Sequence, residues 1–355
     1  MFEHAATIAA EIKSARPVAV AVVTSVTGSA PRPVGTTMVL TTDGRVAGSV
    51  SGGCVESAVL ARAEEVLHGA TPTTEVFGFG DAEAFAVGLA CGGTVEVLVT
   101  RVDRTTDDTV IAVWRAVARG DVPEAGIVVD LDGPSVGQWR LDPEAAPGTT
   151  WIASDEAARL VARPPEPADF LIYGGVDVAD PLARLARAGG YRVTVVDARP
   201  AFAGAARFPA AHAVVRRQPV DDLRERPDRP DTVICVLTHE DRFDLPLLRE
   251  ALTRDAAFVG AIGSRATARG REVTLLEAGL SPAEVSRLHA PLGLDLGGRS
   301  AFETALSVMA EVVAAAHGRR GGPLRDGTGP LHEPTVPAPQ PRDARQTRSR
   351  LNGAS

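Results

Sequence analysis

The order of hydrophobic and polar residues in the first half of the chain predicts short strands around one helix. Short apolar segments rich in β-branched residues predict strands at 17–23, 37–40, 45–50, 75–79 and 94–99. From Val55 to Leu67 the hydrophobic residues recur at helical spacing, and Gly69 ends the pattern. A further helix is predicted at 108–118 and a further strand at 126–133.

The second half of the chain alternates apolar strands with helical patterns. Strands are predicted at 169–175, 191–197, 231–238 and 257–263, and helices at 182–190, 244–253, 266–278, 282–289 and 305–316. A strand, a helix and a strand at this spacing form a βαβ unit of a parallel sheet. The alternation therefore predicts a Rossmann-like, doubly wound parallel sheet from about residue 168 to residue 317.

Helix starts are marked by capping residues. Ser281 with Glu284, and Ser300 with Glu303, match the capping box in which the serine and the glutamate satisfy each other's backbone N–H groups. The Asp180-Pro181 pair is typical of an N-cap followed by the first helical residue. That pair predicts a late start for the first helix of the Rossmann-like domain.

The fold class is therefore α/β, with two domains. The length of 355 residues agrees with this number at ~100 to 200 residues per domain. Proline-rich sequences at 143–148 and 162–169 predict a linker, which gives a first domain with its linker at 1–167 and a second domain at 168–317. Residues 318–355 have little apolar periodicity and many Pro, Gly and Arg residues, which predicts a disordered tail.

Composition narrows the classes of partner and location. Hydrophobic residues make up 45% and charged residues 23%, as in globular proteins, and the apolar runs are far shorter than the ~20 residues of a membrane helix. The first residues lack the basic and apolar regions of a secretory signal, so we expect a cytoplasmic protein that does not bind membranes. The net charge of −8 and the dispersed basic residues argue against a nucleic-acid partner.

The scarcity of lysine and tyrosine excludes several reactions. Lys13 is the one lysine in the sequence, so a G-x-x-x-x-G-K phosphate loop and a Schiff-base lysine are both excluded. Tyr173 and Tyr191 are the two tyrosines, and neither is accompanied by a lysine. A tyrosine-lysine pair for hydride transfer is therefore not expected.

The three cysteines are expected to be free thiols, because Cys54, Cys91 and Cys235 form no disulfide framework and no C-x-x-C pair. Cys54 follows Gly52 and Gly53 and is predicted in the first turn of a helix, where the helix dipole favours a thiolate. The alternative is a small buried side chain. Cys91 precedes Gly92 and Gly93, whose backbone N–H groups could approach a ligand.

A partial dinucleotide fingerprint opens the second domain. Gly174 and Gly175 follow the first strand, and Asp197 ends the next strand, where an acidic residue would hold ribose. The second glycine of G-x-G-x-x-G is missing, and Val176 and Asp177 add bulk and negative charge where pyrophosphate would approach. The Rossmann-like fold is expected, but ordinary NAD(P) binding is doubtful.

Polar residues follow the next two strands at the edge where open α/β sheets bind ligands. Thr238 and His239 end one strand, although a lone histidine is more often structural. Gly263, Ser264 and Arg265 follow the next strand and combine flexible backbone with a guanidinium suited to phosphate. Residues 293–298 form a second glycine-rich loop, which could equally be a connector.

Taken in order, nine segments resemble the XdhC/CoxI family of accessory proteins for molybdenum hydroxylases. They are GSAPRPVGTTMVL, GSVSGGCVESAV, ACGGTVEVLV, IYGG, VTVVDARP, RFP, LTHEDRFD, FVGAIGSR and PLGLDLGGRSAFETALSVMAEVVAA. The similarity runs from about residue 15 to residue 317. It implies a family-specific N-terminal α/β domain, a C-terminal Rossmann-like domain and a homodimer.

The resemblance also implies a function. Such proteins bind molybdenum cofactor (molybdopterin), protect it while a cysteine desulfurase helps to install its sulfido ligand, and deliver it to a xanthine-dehydrogenase-like molybdoenzyme. The chain lacks the cysteine sets of iron-sulfur clusters, so we do not expect it to be the hydroxylase itself. We expect a cofactor chaperone without turnover of its own. The alternative is an NAD(P)-dependent oxidoreductase that uses the Rossmann-like domain.

The family motifs assign candidate residues. Cys54 and Cys91 are expected near the molybdenum or its dithiolene, with the glycines beside them giving close backbone approach. Arg32 and Arg265 are expected to hold phosphate or pterin. Relatives commonly show glycine and histidine where this chain has Val176 and Asp177. The Rossmann-like part of the site has therefore either lost its ligand or binds it through residues 263–265 and 293–298.

Overall fold

The computed structural model describes residues 1–27, 32–53, 55–77, 94–153 and 158–327. These residues divide into an N-terminal unit, residues 1–166, and a C-terminal unit, residues 167–327. Among the described residues, no helix combines the length and the apolar composition needed to cross a membrane.

The N-terminal unit contains two antiparallel sheets. Its elements are α1 (Ala5–Lys13), β1 (Val18–Thr27), β2 (Thr37–Thr41), β3 (Val46–Gly48), α2 (Glu56–Leu67), β4 (Thr73–Phe77), β5 (Thr94–Val102), α3 (Asp108–Ala118), β6 (Gly126–Asp130), β7 (Trp139–Asp142), β8 (Gly148–Ala153) and β9 (Ala158–Arg163). The strand order is β3-β2-β1-β5-β4 in one sheet and β7-β6-β9-β8 in the other.

The five-stranded sheet is buried on both faces. On one face Val59, Ala63 and Val66 of α2 pack against valines of β5. On the other face a second core joins α1, α3 and the four-stranded sheet, with Trp114 and Trp139 in edge-to-face contact at 5.1 Å. Burial on both faces explains why β1 is an almost continuous apolar run, in which eight of the ten residues are buried.

The register of β1, β2 and β3 places two glycine-containing loops at one end of the sheet. Val22 pairs with Thr37 across β1 and β2, and Met38 pairs with Gly48 across β2 and β3. Residues 32–36 therefore enter the sheet where residues 49–53 leave it.

The C-terminal unit is a doubly wound parallel sheet. Its elements are β10 (Asp169–Tyr173), α4 (Ala179–Ala188), β11 (Arg192–Val196), β12 (Ala213–Val215), α5 (Pro219–Glu225), β13 (Val233–Val236), α6 (Asp241–Leu252), β14 (Phe258–Ala261), α7 (Arg265–Glu277), α8 (Pro282–Val285), β15 (Leu288–His289) and α9 (Ala301–Ala316). The order β12-β11-β10-β13-β14-β15 is the Rossmann order, with its switch point between β10 and β13. The predicted α/β fold class is confirmed.

Three predictions of local structure are wrong. The predicted linker does not begin at residue 143, because β8 and β9 occupy residues 148–153 and 158–163. Residues 164–168 of the second Pro-rich sequence do lie between β9 and β10, at the boundary of the two units. Helix α4 begins at Ala179, before the Asp180-Pro181 pair. The helix predicted at 282–289 ends at Val285, and residues 288–289 pair with β14 as a sixth strand.

Candidate functional site

In the N-terminal unit, the loop of residues 49–53 is held in an unusual backbone conformation. Gly52 and Gly53 have φ angles of 80° and 121°, which residues with a side chain rarely adopt. Among the described residues, and leaving out the chain neighbours, no atom lies within 4 Å of where a Cβ would stand on either glycine. Glycine is therefore required here by the backbone conformation and not by a close contact with a described residue.

The donors of this loop converge on the carboxylate of Glu56. Ser51 donates its peptide N–H at 2.9 Å and its hydroxyl at 2.6 Å, and Gly53 donates its N–H at 2.8 Å. Burial alone would raise the pKa of Glu56, but hydrogen bonds from Ser49 and Ser51 outweigh it and lower the pKa to about 2. The loop therefore surrounds the carboxylate of Glu56, which is charged at neutral pH.

The candidate thiols lie outside the described residues. This holds for Cys54 and Cys91 and also for Gly92 and Gly93. Helix α2 begins at Glu56, with Val55 as its N-cap. The predicted position of Cys54 in the first turn of this helix falls outside the described residues and stays a prediction.

Arg32 lies at the same end of the sheet as this loop. Its side chain is exposed, and it forms no ion pair with another residue of the described ranges. An exposed guanidinium at this end of the sheet is available to an anionic ligand.

In the C-terminal unit, the dinucleotide fingerprint is occupied by the chain itself. The N–H of Gly175 donates to Oδ2 of Asp197 at 2.8 Å. Arg199 donates to the same carboxylate from its peptide N–H and Nε, both at 2.9 Å, and from Nη2 at 2.7 Å. Burial would raise the pKa of Asp197, but the bonds from Arg199 and Gly175 lower it.

The backbone after β11 fills the space beside these glycines. A Cβ on Gly175 would overlap the carbonyl oxygen of Phe202, and the Arg199 guanidinium stacks 4.0 Å from the centre of the Phe202 ring. A Cβ on Gly174 would lie 2.9 Å from the peptide nitrogen of Thr238. Both glycines therefore permit contact between parts of the protein, and not approach of a pyrophosphate.

A buried ion pair lies beneath the end of β13. The Thr238 hydroxyl donates to Asp244, which pairs with Nη2 of Arg271, and all three residues are buried. Burial raises the pKa of Asp244 despite these two partners. Arg271 also donates to the carbonyl of Ile262 at 2.8 Å, so it ties α7 to the end of β14.

His239 has a left-handed backbone, with φ of 56°. A non-glycine residue in this region is uncommon and often marks a functional segment. The side chain is exposed at the carboxyl end of β13, the ligand-binding edge of such sheets.

The two loops expected to bind a ligand line one open cleft of about 650 Å³. One wall is residues 263–266, and the other is residues 291–298 with the start of α9. Ser264 caps α7 by accepting the N–H of Thr267 at 3.0 Å. The side chain of Arg265 is 79% exposed, and among the described residues it pairs only with the similarly exposed Asp295, in a long contact of 3.4 Å.

Sequence reasoning missed three side chains that organise these sites. Glu56 does not match a capping box, because the serines that it binds lie five and seven residues before it. Arg199 follows Asp197 by two residues, and this Asp-x-Arg sequence at a strand end was the signal for an occupied ribose position. Arg271 carries no local signal, because its partners are distant in sequence. Within the described ranges, no three potential ligand side chains are grouped as a metal site requires.

Comparison with known proteins gives two family matches. Residues 12–78 match the XdhC and CoxI family, and residues 170–312 match the XdhC Rossmann domain. The chain is 30% identical over 292 residues to the molybdenum cofactor insertion chaperone PaoD of Escherichia coli, covering 81% of this chain and 80% of that protein. It is 26% identical over 308 residues to a probable xanthine dehydrogenase subunit of Bacillus subtilis, covering 82% and 91%.

A solved structure shares the fold. The crystal structure of a protein described as a xanthine dehydrogenase from Bacillus halodurans superposes with a TM-score of 0.68, covering 89% of this chain and 96% of that one at 24% identity. The fold therefore has an experimental counterpart.

Proposed function

Since the chain belongs to the XdhC and CoxI family, we propose that it is an accessory protein that binds molybdenum cofactor as its cargo and inserts it into a xanthine-dehydrogenase-like molybdenum hydroxylase. The observation that carries the proposal is the 30% identity to a molybdenum cofactor insertion chaperone across most of both chains. Support for sulfuration of the cofactor, with a cysteine desulfurase as partner, is part of the same proposal. So are a homodimer and a cytoplasmic location.

The described residues offer chemistry that fits such a cargo. The cofactor joins a phosphate-bearing pterin to a soft, sulfur-rich metal centre. In the C-terminal unit, a cleft of about 650 Å³ lies in the usual size range of small-molecule sites, and Arg265 offers a guanidinium for phosphate. In the N-terminal unit, no described residue beyond the chain neighbours covers the Cβ positions of Gly52 and Gly53, which fits close approach of a ligand to their backbone.

The thiols complete the proposed chemistry. Thiolates are soft ligands that suit a sulfur-rich molybdenum centre. We assign this role to Cys54 and Cys91, which flank the glycines of the family motifs. Arg32, exposed at the same end of the sheet as Gly52 and Gly53, is the second candidate for the phosphate or pterin.

The geometry of the C-terminal unit argues against the alternative of an NAD(P)-dependent oxidoreductase. The ribose-binding acid of a dinucleotide fingerprint must accept hydroxyl groups, but Asp197 already accepts bonds from Gly175 and Arg199. The backbone at Phe202 occupies the space beside Gly175. No described feature favours this second candidate.

The test is direct retention of each ligand. Purified protein is incubated separately with molybdenum cofactor and with NADH, passed through a gel-filtration column and analysed by absorbance. We expect saturable retention of the cofactor and none of NADH, and the reverse result would overturn the proposal. Cys54→Ser and Cys91→Ser should weaken retention without lowering Tm, whereas Cys235→Ser, which replaces a buried thiol of the C-terminal unit, serves as the thiol control.

A further inference from the structure

Glu56 binds the loop that precedes its helix through both carboxylate oxygens. Oε1 accepts the Ser49 hydroxyl at 2.5 Å and the Ser51 N–H at 2.9 Å. Oε2 accepts the Ser51 hydroxyl at 2.6 Å, the Gly53 N–H at 2.8 Å and the Val55 N–H at 3.2 Å. Three backbone N–H groups and two serine hydroxyls therefore donate to this one carboxylate.

The other glutamates at helix starts do not work in this way. In the capping boxes of α8 and α9, Glu284 and Glu303 accept their hydrogen bonds from described residues through Oε2 alone. A capping box functions with glutamine as well as glutamate, because one acceptor oxygen is sufficient. Glu56 needs two acceptor oxygens, which an amide cannot supply.

The conformation of the loop at residues 49–53 is fixed by hydrogen bonds that lead to Glu56. Ser49 accepts the N–H of Gly52 at 2.8 Å while donating to Glu56, so Glu56 also fixes the first glycine indirectly. Glycine adopts positive and negative φ angles about equally readily, so its own backbone preference does not fix Gly52 and Gly53 in this conformation. Among the described residues, no atom beyond the chain neighbours lies within 4 Å of either Cβ position to hold them. The shape of the loop therefore depends on Glu56.

We propose that Glu56 is a positioning residue of the cofactor site, which holds the loop of residues 49–53 in the conformation that receives the cargo. The inference rests on the proposed function. The carboxylate acts through the loop and need not contact the cargo. Its role resembles that of residues that orient the ligands of metal sites, whose replacement typically lowers affinity ~10- to 100-fold.

The test compares Glu56→Gln with Glu284→Gln, a matched control in which the same substitution removes charge from a helix start in the C-terminal unit. We expect E56Q to lower retention of molybdenum cofactor at least tenfold and E284Q to leave it unchanged. Ser49→Ala, which removes one donor to Oε1, should give an intermediate loss. Wild-type retention by E56Q would overturn the proposal.

A second readout separates positioning from stability and does not require the cargo. In a Cys91→Ser background, the rate of alkylation of Cys54 by iodoacetamide is measured at one pH, well below Tm. Cys235 is buried and its pKa is raised, so it contributes little. We expect E56Q, and also S49A, which keeps the charge of Glu56, to change the rate at least threefold, and E284Q to leave it unchanged. A change in E56Q alone would be an effect of the lost charge on the thiol and would count against positioning.

The two readouts distinguish the two hypotheses. If the wild-type protein retains no cofactor, the proposed function fails, and the alkylation rate still tests whether Glu56 positions the loop. If the wild type retains cofactor and E56Q matches it in both readouts, the role of Glu56 is refuted and the proposed function stands. If E56Q is too unstable to purify, S49A decides in the same two assays.

Discussion

The peptide N–H of Gly175 donates to the carboxylate of Asp197 across 2.8 Å, and this bond joins the turn after β10 to the end of β11. In a dinucleotide-binding Rossmann domain the turn faces pyrophosphate and the acidic residue faces ribose. Here the Gly175 N–H and the Asp197 carboxylate bond to each other, and Arg199 donates further hydrogen bonds to the same carboxylate. The C-terminal unit keeps the Rossmann fold, but its own residues occupy the position where a dinucleotide would bind.

Replacement of Arg199 is expected to destabilise the protein. Asp197 is 2% exposed, so Arg199→Ala leaves a buried carboxylate without its cation. Breaking a buried pair costs roughly 3 kcal/mol, at the lower end of the usual range because Arg199 is partly exposed. Urea denaturation measures the change. Arg216→Ala, which removes an exposed arginine nearby in the sequence, should have no effect, and an equal loss in both variants would contradict the argument.

Two glycine substitutions should have opposite effects. Gly175→Ala places a methyl group against the Phe202 carbonyl, so we expect a loss of about 3 kcal/mol or a failure to fold. Gly270 lies within α7 with open space around it, so Gly270→Ala should stabilise by about 0.5 to 1 kcal/mol. Thermal unfolding of the two variants checks both signs. A tolerated G175A would show that the segment at Phe202 moves away easily.

Much of the C-terminal fold could be predicted from the sequence because its signals are local. Ser281 and Ser300 form the predicted capping boxes, and the predicted strands follow continuous apolar runs. The strand at residues 288–289 could not be predicted, since two residues carry no periodicity and depend on pairing with β14. The prolines of residues 143–148 predict a linker, but they lie between β7 and β8, at strand ends where proline is tolerated.

The candidate site was less predictable than the fold, because its geometry depends on contacts between distant residues. The pairing of Arg271 with Asp244 joins residues 27 positions apart. Gly174 and Gly175 match part of a dinucleotide fingerprint, but sequence alone cannot show that the residues after β11 fill the space beside them. The convergence of residues 263–266 and 291–298 on one cleft likewise depends on the sheet order.

The buried pair of Asp244 and Arg271 should make stability depend on pH once the cation is removed. Burial already raises the pKa of Asp244 in the native protein. Arg271→Met removes the cation that opposes this effect, so the pKa of Asp244 should rise further. A carboxyl whose folded pKa exceeds its unfolded pKa stabilises the protein below the unfolded pKa and loses this contribution as pH rises through the folded pKa. The cost of R271M should therefore be larger at pH 7 than at pH 4.

The double variant provides the control for this pair. Asp244→Asn with Arg271→Met removes both charges, so the stability of the double variant should vary less with pH than that of R271M. The double variant should also lose less unfolding free energy than the ~3 to 5 kcal/mol expected when one partner of a buried pair is lost. Denaturation at pH 4 and pH 7 measures both variants. A pH-independent cost for R271M would show that Asp244 gains solvent or another partner when Arg271 is removed.

Arg265 should contribute to cargo binding without contributing to stability. It occupies the first position of α7, where the helix dipole disfavours a cation, and its contact with Asp295 is long and exposed. Arg265→Ala should therefore leave Tm unchanged or slightly higher. A lost charge-assisted hydrogen bond to phosphate is worth ~1.5 to 3 kcal/mol, so cofactor retention should fall about tenfold or more.

Arg269 offers the matched control for this prediction. It is exposed one turn later on the same helix but does not line the cleft. Arg269→Ala removes the same charge from the same helix, so it reports any effect of net charge alone. Equilibrium titration with molybdenum cofactor should separate the two variants, with R269A close to wild type. Equal losses in R265A and R269A would indicate long-range attraction of an anion, and would remove Arg265 from the proposed phosphate contact.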